Sequence, residues 1–465
     1  MKNKFKKILS ISAAALLSLS IAASLSAYAD PETAEEVISD GSFIYDTVDG
    51  GYTIKRCTAT IITSIPGIVN GIPIVEISEG AFSNCAGITE LNIPQTVKKI
   101  GTGAFTYCTS LQKITIPSSV TEIPDQAFLG CSYLTDIKLP DTITKIGDSA
   151  FAVCSSLTDF ELPDSLVELG DMAFNCTPIT TIDAEGCAGF VVDEKMLYDR
   201  NKKEIYRALN DISGDIYIAD SVETIGGGAF SLCYGIENVF VPGSVQTIGD
   251  NSFRDCISLK KLDFTEGLSS IGTCAFINNI SLETVEFPLS LRSIGDSAFM
   301  NCTSLNKTIF QDGLKSIGAN AFFDCENLMQ VSIPKTVETI GEDAFGKISD
   351  EEGNTLSLSG FKMNVSSGSA AEKYAKNDNI EHTASDKSLK KIAFIIIAVG
   401  LIIAVIIFAV VLMARNRKSA TASAKKAQKE ALEKEAEENY VKILDDSPND
   451  DDKKKSDKKK TDKKK

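Results

Sequence analysis

The chain has 465 residues, a formal net charge of −16 and a single histidine, His382. An acidic surface repels nucleic-acid phosphates, and one imidazole supplies neither a histidine-rich metal cluster nor a convincing Ser-His-Asp triad. We therefore expect no enzyme, no cofactor, no metal site and no nucleic-acid ligand for the exported part of the chain.

The first 29 residues have the pattern of a secretory signal peptide. Four lysines from Lys2 to Lys7 precede a mostly apolar run from Ile8 to about Leu25, and Ala27-Tyr28-Ala29 follows as a small-residue cleavage pattern. We predict that residues 1–29 are removed. Residues 30–66 then form an N-terminal cap, in which Asp49-Gly50-Gly51 between two alternating runs predicts a β-hairpin.

A period of 23 residues governs residues 67–348. An Ala-Phe pair or a close variant recurs in two runs of constant spacing. The phenylalanines of the two runs are Phe82, Phe105, Phe128, Phe151 and Phe174, then Phe230, Phe253, Phe276, Phe299, Phe322 and Phe345. Such a period, with apolar residues at fixed offsets, predicts a solenoid whose coils bury their apolar faces by stacking on each other.

Each coil is predicted to hold one strand and one short helical segment. Leu111, Ile114 and Ile116 have the spacing of a strand with one buried edge, and Pro117 ends that strand. A Gly-Asp turn then precedes the Ala-Phe segment. The predicted fold class is an α/β solenoid, with a parallel sheet along one face and short helical or 3₁₀ segments opposite.

An aspartate follows the turn glycine in many coils. We predict that these carboxylates cap free amides of the Ala-Phe segment. A calcium ladder is the alternative, but the Gly-Gly-x-Gly-x-Asp pattern of calcium-binding repeats is missing. The column contains Asp125, Asp148, Asp171, Asp250 and Asp296, with Glu342.

Eight of the twelve cysteines lie three residues after the repeated phenylalanine. Neighbouring coils would hold these side chains parallel, which leaves the Cβ atoms too far apart for an unstrained disulfide. We predict a ladder of buried thiols. Four cysteines lie outside the column, and a disulfide between two of them stays open: Cys57, Cys176, Cys187 and Cys274.

The array is interrupted at about 183–218, where alternating apolar and charged residues predict a coil that carries an extra hairpin. Residues 349–379 are predicted to form a C-terminal cap, with a short helix around Ser369 to Lys376, and residues 380–391 to form a polar stalk. Residues 392–413 carry no charge and as a helix would span about 33 Å, which predicts a transmembrane helix. Residues 414–465 would be a charged cytoplasmic tail.

The consensus Leu-x-x-Ile-x-Leu-Pro-x-x-Leu-x-x-Ile-Gly-x-x-Ala-Phe-x-x-Cys closely resembles the bacterial surface leucine-rich-repeat proteins of the BspA type. The resemblance covers about 42–382. It implies a leucine-rich-repeat solenoid and a role in binding or adhesion to proteins or cell surfaces.

A candidate binding site follows from strand alternation, because the residue between the last two apolar strand positions points away from the core. In this column Tyr217, Phe240 and Ile309 are large and apolar, although folding does not require it. We predict that Tyr217 and Phe240 anchor an extracellular protein or a surface glycan, and that Asp263 and Glu286 steer basic groups. The alternative is that these are scattered surface apolar residues without a role.

The sequence thus predicts a single-pass plasma-membrane protein with its repeats outside the cell and a binding or adhesion function. A sensing receptor that signals through the tail and a structural surface-layer component are the alternatives.

Overall fold

The computed structural model describes residues 38–384 and 426–434. These two ranges belong to separate compact units, 1–389 and 390–465, which are described one at a time. The predicted signal peptide, the predicted span 392–413 and most of the predicted tail lie outside the described residues. Among the helices of the described ranges, none has the length and apolar content needed to cross a membrane.

A small sheet opens the first unit. Strands β2 and β3 form the predicted hairpin around Asp49-Gly50, where Gly50 has a φ of +85°. Strand β3 then pairs in parallel with β5, which starts the solenoid. The strands of this region are β1 (Ile38–Ser39), β2 (Phe43–Val48), β3 (Gly51–Cys57), β4 (Ile68–Val69) and β5 (Ile72–Ile77).

Each regular coil contributes a front strand, which is the strand predicted from the sequence. The front strands pair in parallel with those of neighbouring coils, in sheets β6-β8-β10, β12-β14, β18-β20-β22-β24-β26 and β28-β32-β33. Their bounds are β6 (Glu90–Asn92), β8 (Lys113–Thr115), β10 (Asp136–Lys138), β12 (Asp159–Glu161), β14 (Thr181–Asp183), β18 (Ser213–Tyr217), β20 (Gly235–Val241), β22 (Lys261–Phe264), β24 (Thr284–Glu286), β26 (Lys307–Ile309), β28 (Gln330–Ser332), β32 (Lys362–Val365) and β33 (Glu381–Ala384).

Most coils also contribute a two-residue back strand, which the sequence analysis did not predict. Its second residue is apolar and points into the core, as at Ile123 and Ile146. The back strands are β7 (Lys99–Ile100), β9 (Glu122–Ile123), β11 (Lys145–Ile146), β13 (Glu168–Leu169), β19 (Thr224–Ile225), β21 (Thr247–Ile248), β23 (Ser270–Ile271), β25 (Ser293–Ile294), β27 (Ser316–Ile317) and β29 (Thr339–Ile340).

The Ala-Phe segments are consecutive turns, and the predicted helical or 3₁₀ segments are therefore wrong. The amides of Phe82 and Asn84 donate to carbonyls of the following coil at 2.8 Å each. The amide of Ser83 between them donates to Gly80 in its own coil at 2.9 Å. Alternate amides thus donate to the next coil, and they are not available for the hydrogen bonds between successive turns of a helix. The solenoid is a β-solenoid with few helices.

The core is a stack of apolar columns. The repeated phenylalanines are buried and stack ring on ring, with centroids of Phe105 and Phe128 5.3 Å apart and planes within 3°. Phe299 and Phe322 stack at 5.2 Å and 2°. Stacking along the solenoid axis explains why the same ring recurs every 23 residues, because each ring completes the burial of its neighbours.

The interruption contains the predicted extra hairpin. Strand β16 (Met196–Asp199) pairs antiparallel with both β15 (Phe190–Asp193) and β17 (Glu204–Ala208). Strand β17 also pairs in parallel with β19, which connects the insertion to the regular array. The core divides at this point into two clusters of buried residues. Met196 belongs to the C-terminal cluster and its neighbour Leu197 to the N-terminal cluster.

A fully buried arginine, Arg207 of β17, joins the coils on either side of the interruption. Its Nη1 donates to Gly228 O at 2.8 Å and to Ser231 Oγ at 2.7 Å. Its Nη2 donates to Thr177 O at 2.7 Å and to Asn210 Oδ1 at 2.5 Å. Burial lowers the pKa of this guanidinium. One guanidinium therefore donates to carbonyl oxygens of the coils on both sides of the interruption in the 23-residue spacing.

The end of the first unit has an antiparallel hairpin, β30 (Lys347–Ser349) with β31 (Thr355–Ser357), and then helix α1 (Ala370–Asn377). Ser369 caps α1 by accepting the amide of Glu372, close to the helix predicted around Ser369 to Lys376. Within the predicted stalk 380–391, residues 381–384 form β33 in the fold, paired with β32.

The described part of the second unit is one exposed helix, α2, at residues 426–434. Ion pairs join Lys426 to Glu430 and Lys429 to Glu433, each at 3.8 Å and at i, i+4 spacing. This agrees with the solvated helix that the Ala, Lys and Glu composition predicts.

Candidate binding surface

The five residues of the predicted site lie on adjacent strands of one parallel sheet, β18-β20-β22-β24-β26. Tyr217 lies opposite Phe240, Phe240 opposite Asp263, and Glu286 opposite Ile309. Each points away from the core, since the residues before them on these strands, such as Ile216 and Val239, are buried. We call this row of five residues the front patch.

The aromatic end of the front patch is a stacked pair. The ring centroids of Tyr217 and Phe240 lie 4.5 Å apart with planes 3° from parallel. Tyr217 is 64% exposed, and its strand β18 is the edge of the sheet. Phe240 partly shields one side of Tyr217, and the edge position leaves the Tyr217 ring as the most accessible apolar surface of the patch.

Charged groups surround this pair. Lys261 Nζ lies 5.7 Å from the centroid of Phe240 and 2.9 Å from Asp263 Oδ2. Asp263 is therefore partly neutralised by a lysine of its own strand. Glu286 is exposed and has no ion pair among the described residues. Of the two predicted steering acids, Glu286 has the unbalanced charge.

The aspartate column makes a different contact from the one predicted. The amide of Asp148 donates to Asp125 Oδ1 at 2.9 Å, and the amide of Asp171 donates to Asp148 Oδ1 at 2.8 Å. The carboxylates thus join one coil to the next at equivalent positions, whereas we expected them to cap their own segment. Asp171 also accepts from Met172 N of its own coil at 3.1 Å. Within the described ranges, no group of three or more Cys, His, Asp or Glu side chains is arranged to hold a metal ion.

The cysteine column is the predicted ladder of thiols. Cys108 Sγ donates to Phe82 O at 3.0 Å, and Cys131 Sγ donates to Phe105 O at 3.1 Å. Burial raises the pKa of Cys154 to about 12, so these thiols stay protonated and unreactive. The sequence analysis placed the thiols correctly but missed their acceptors, which belong to the preceding coil.

A groove of about 440 Å³ lies beside the interruption, and the sequence analysis missed it. Lys145, Asp148, Asp171 and Tyr206 are among its lining residues. Burial raises the pKa of Asp171. The groove forms because the inserted hairpin places Tyr206 against coils that precede it, which a single-coil pattern cannot show.

Comparison with known proteins places the repeats in a family. The family model for the BspA-type leucine-rich-repeat region matches residues 75–191 and 216–351, more than half of the chain, and indicates no enzyme family. None of the curated proteins searched matches this chain.

Solved structures of bacterial leucine-rich-repeat proteins have a similar fold. A leucine-rich cell-surface protein from Faecalibacterium prausnitzii aligns with 76% of this chain and 96% of its own, at 23% identity and a TM-score of 0.50. The pneumococcal vaccine antigen PcpA aligns with 75% of this chain and 98% of its own, at 19% identity and a TM-score of 0.49. The stacked coils, the 23-residue columns and the family match over both runs agree, and the chain belongs to the BspA-type leucine-rich-repeat family.

Proposed function

We propose that this chain is a non-catalytic binding protein of the bacterial cell surface whose front patch docks a basic segment of an extracellular protein. The observation that carries the proposal is the Tyr217–Phe240 stack at an edge strand, in which Tyr217 is exposed and Phe240 is half-buried. Stacked aromatic rings supply a large, rigid contact area at low entropic cost, which is why aromatic residues dominate the energetics of protein interfaces.

The charges of the patch favour a basic partner over a neutral one. Asp263 already pairs with Lys261, whereas Glu286 is free to pair with a partner's cation. A guanidinium or ammonium group also binds favourably over the face of a tyrosine ring. One cation of a basic segment could therefore lie over the ring of Tyr217, and a second could pair with Glu286, which lies three strands away.

The test compares the full-length chain with a Tyr217→Ser variant in binding to a panel of extracellular proteins. Since Tyr217 is exposed, the substitution leaves the core intact, and we expect at least a tenfold loss of affinity for the protein partner. Tyr133→Ser is the matched control, because Tyr133 is 61% exposed but lies outside the front patch. Circular dichroism checks that both variants fold.

A second variant tests the charge. Glu286→Gln should lower the association rate and weaken its dependence on salt, because electrostatic steering acts mainly on the rate of encounter. Equal binding by Tyr217→Ser and the parent chain would contradict the proposal. Loss of binding to a surface glycan in the same variant, with protein binding unchanged, would assign the patch to a glycan.

We further propose that the predicted signal peptide exports the repeats and that residues 392–413 anchor the chain in the plasma membrane. The apolar run and the charged residues after it support this placement. Protease treatment of intact cells should digest the repeats and spare an epitope placed after residue 413. Protection of the repeats in intact cells would contradict it.

A further inference from the structure

The first cysteine of the column differs from those that follow. In six later coils the thiol donates to the carbonyl 26 residues earlier, which belongs to the phenylalanine of the preceding coil, at 3.0–3.3 Å. Cys85 lies in the first regular coil, so no repeated phenylalanine lies 26 residues before it. The carbonyl 26 residues before it belongs to Ala59, and the thiol of Cys57 donates to that carbonyl at 3.6 Å.

Because no regular coil precedes Cys85, its neighbour on that side is Cys57. The thiol of Cys57 lies beside that of Cys85, and the amide of Cys57 donates to Ala81 O of the first coil at 2.8 Å. Cys57 ends β3, in the hairpin sheet of the N-terminal region. It thus approaches Cys85 from outside the column, and the parallel side-chain vectors that separate neighbouring column cysteines do not apply to this pair.

The pair lies at the end of the solenoid, where Cys57 is 9% exposed and Cys85 is the more accessible thiol. Cys85 is partly exposed, whereas Cys108, Cys131 and Cys154 behind it are fully buried. The hydrogen bond from Cys85 lowers the pKa of Cys57 to about 7, and the same contact, with burial, raises the pKa of Cys85. This contact therefore favours the thiolate of Cys57, the form that attacks disulfides.

We propose that Cys57 and Cys85 are a cross-linking site: a small-molecule disulfide oxidises them to an intramolecular disulfide that fastens the N-terminal hairpin to the first coil. One cysteine of the pair, as its thiolate, attacks one sulfur of the reagent and forms a mixed disulfide, which releases one thiolate. The other cysteine loses its proton to solvent and attacks the Sγ of the first, which releases the second thiolate. The two cysteines lose two electrons, and the reagent accepts them.

The test exposes the reduced full-length chain to oxidised glutathione. After alkylation of the remaining thiols, digestion without reductant and mass spectrometry should find the Cys57 and Cys85 peptides joined, with a loss of two hydrogens. We expect hydrogen exchange of the β2 and β3 amides to slow at least tenfold in the oxidised chain, because the cross-link restricts opening of the hairpin.

Three variants keep the test specific. Cys57→Ser and Cys85→Ser should each abolish the joined peptides and the slower exchange. Cys274→Ser removes another partly exposed thiol and should leave both results unchanged. Alkylation of both Cys57 and Cys85 after prolonged oxidation would overturn the proposal, as would a disulfide that joins either of them to another cysteine. None of these outcomes depends on the front patch, so this proposal and the proposed function can fail separately.

Discussion

Val153 is a β-branched residue at a backbone position with a φ of +60°. Every regular coil has two such left-handed positions, two residues before and two residues after the repeated phenylalanine, as at Ser149 and Val153 around Phe151. Several coils place Asn or Gly at the second position, including Asn84, Gly130, Asn278 and Asn301. Left-handed backbone is strained for valine but tolerated by asparagine, so Val153 has a local cost that the coils with Asn or Gly at this position avoid.

We predict that Val153→Asn stabilises the solenoid by about 1 kcal/mol, because it relieves this backbone strain. Chemical denaturation of the parent chain and the variant measures the change. Val153→Thr is the matched control: it keeps the β-branch and should give no gain. A destabilised Val153→Asn variant would show that the valine's packing outweighs its strain.

Some side-chain roles were predictable at this scale, and others were not. Strand alternation and the 23-residue grid placed all five front-patch residues on one exposed sheet face. The acceptors of the cysteine and aspartate columns were not predictable, since they lie on the adjacent coil and no pattern within one coil specifies them. Asp125 accepts from Asp148, 23 residues away, and the amides that follow Asp125 in its own coil already donate to carbonyls.

At the scale of elements, the inserted strands β15–β17 are held to the array by Arg207. A buried cation without a carboxylate partner is costly unless its hydrogen bonds are made. Both terminal nitrogens of Arg207 make them, to Thr177 O, Gly228 O and Ser231 on the coils of both sides, whereas its buried Nε has no partner among the described residues. The role of Arg207 is to join the coils on both sides of the break in the 23-residue register. The hairpin itself was predictable from alternating residues, but this role of Arg207 required the contacts.

We predict that Arg207→Met destabilises the chain by about 2–4 kcal/mol, because methionine fills the space but makes none of the hydrogen bonds that join the coils on both sides of the interruption. Arg292→Met is the control, since Arg292 is exposed and should change the stability by about 0.5 kcal/mol or less. Urea denaturation of both variants makes the comparison. A small effect of Arg207→Met would mean that packing alone holds the coils on the two sides together.

The failed helix prediction also belongs to this scale. The Gly-Asp-x-Ala-Phe segment satisfies the local pattern of a short capped helix, and a lone coil would have no other acceptor for its amides. In the stack, alternate amides such as those of Phe82 and Asn84 reach the next coil. Hydrogen bonds between coils therefore replace the helix with turns, and a prediction from one repeat cannot include acceptors on the next coil.

At the scale of the whole molecule, the sequence predicted one solenoid interrupted at about 183–218, and the buried core is in two clusters that meet at the inserted hairpin. The N-terminal cluster includes Phe128 and the C-terminal cluster includes Phe299. In a solenoid each coil is stabilised chiefly by its neighbours, so a weak interface divides the array into separately cooperative parts.

We therefore predict that denaturant unfolds the repeats in two transitions, one for each cluster. Phe128 and Phe299 are equally buried, and each stacks on rings of both adjacent coils at 5.0–5.3 Å. Removing either ring should cost about 3–5 kcal/mol. Phe128→Ala should lower the midpoint of one transition and Phe299→Ala the midpoint of the other, as followed by hydrogen exchange of the front strands on each side of the interruption.

A single transition that both variants shift equally would show that Arg207 and the hairpin couple the two clusters into one cooperative unit. The cost of Arg207→Met would then extend to the whole array.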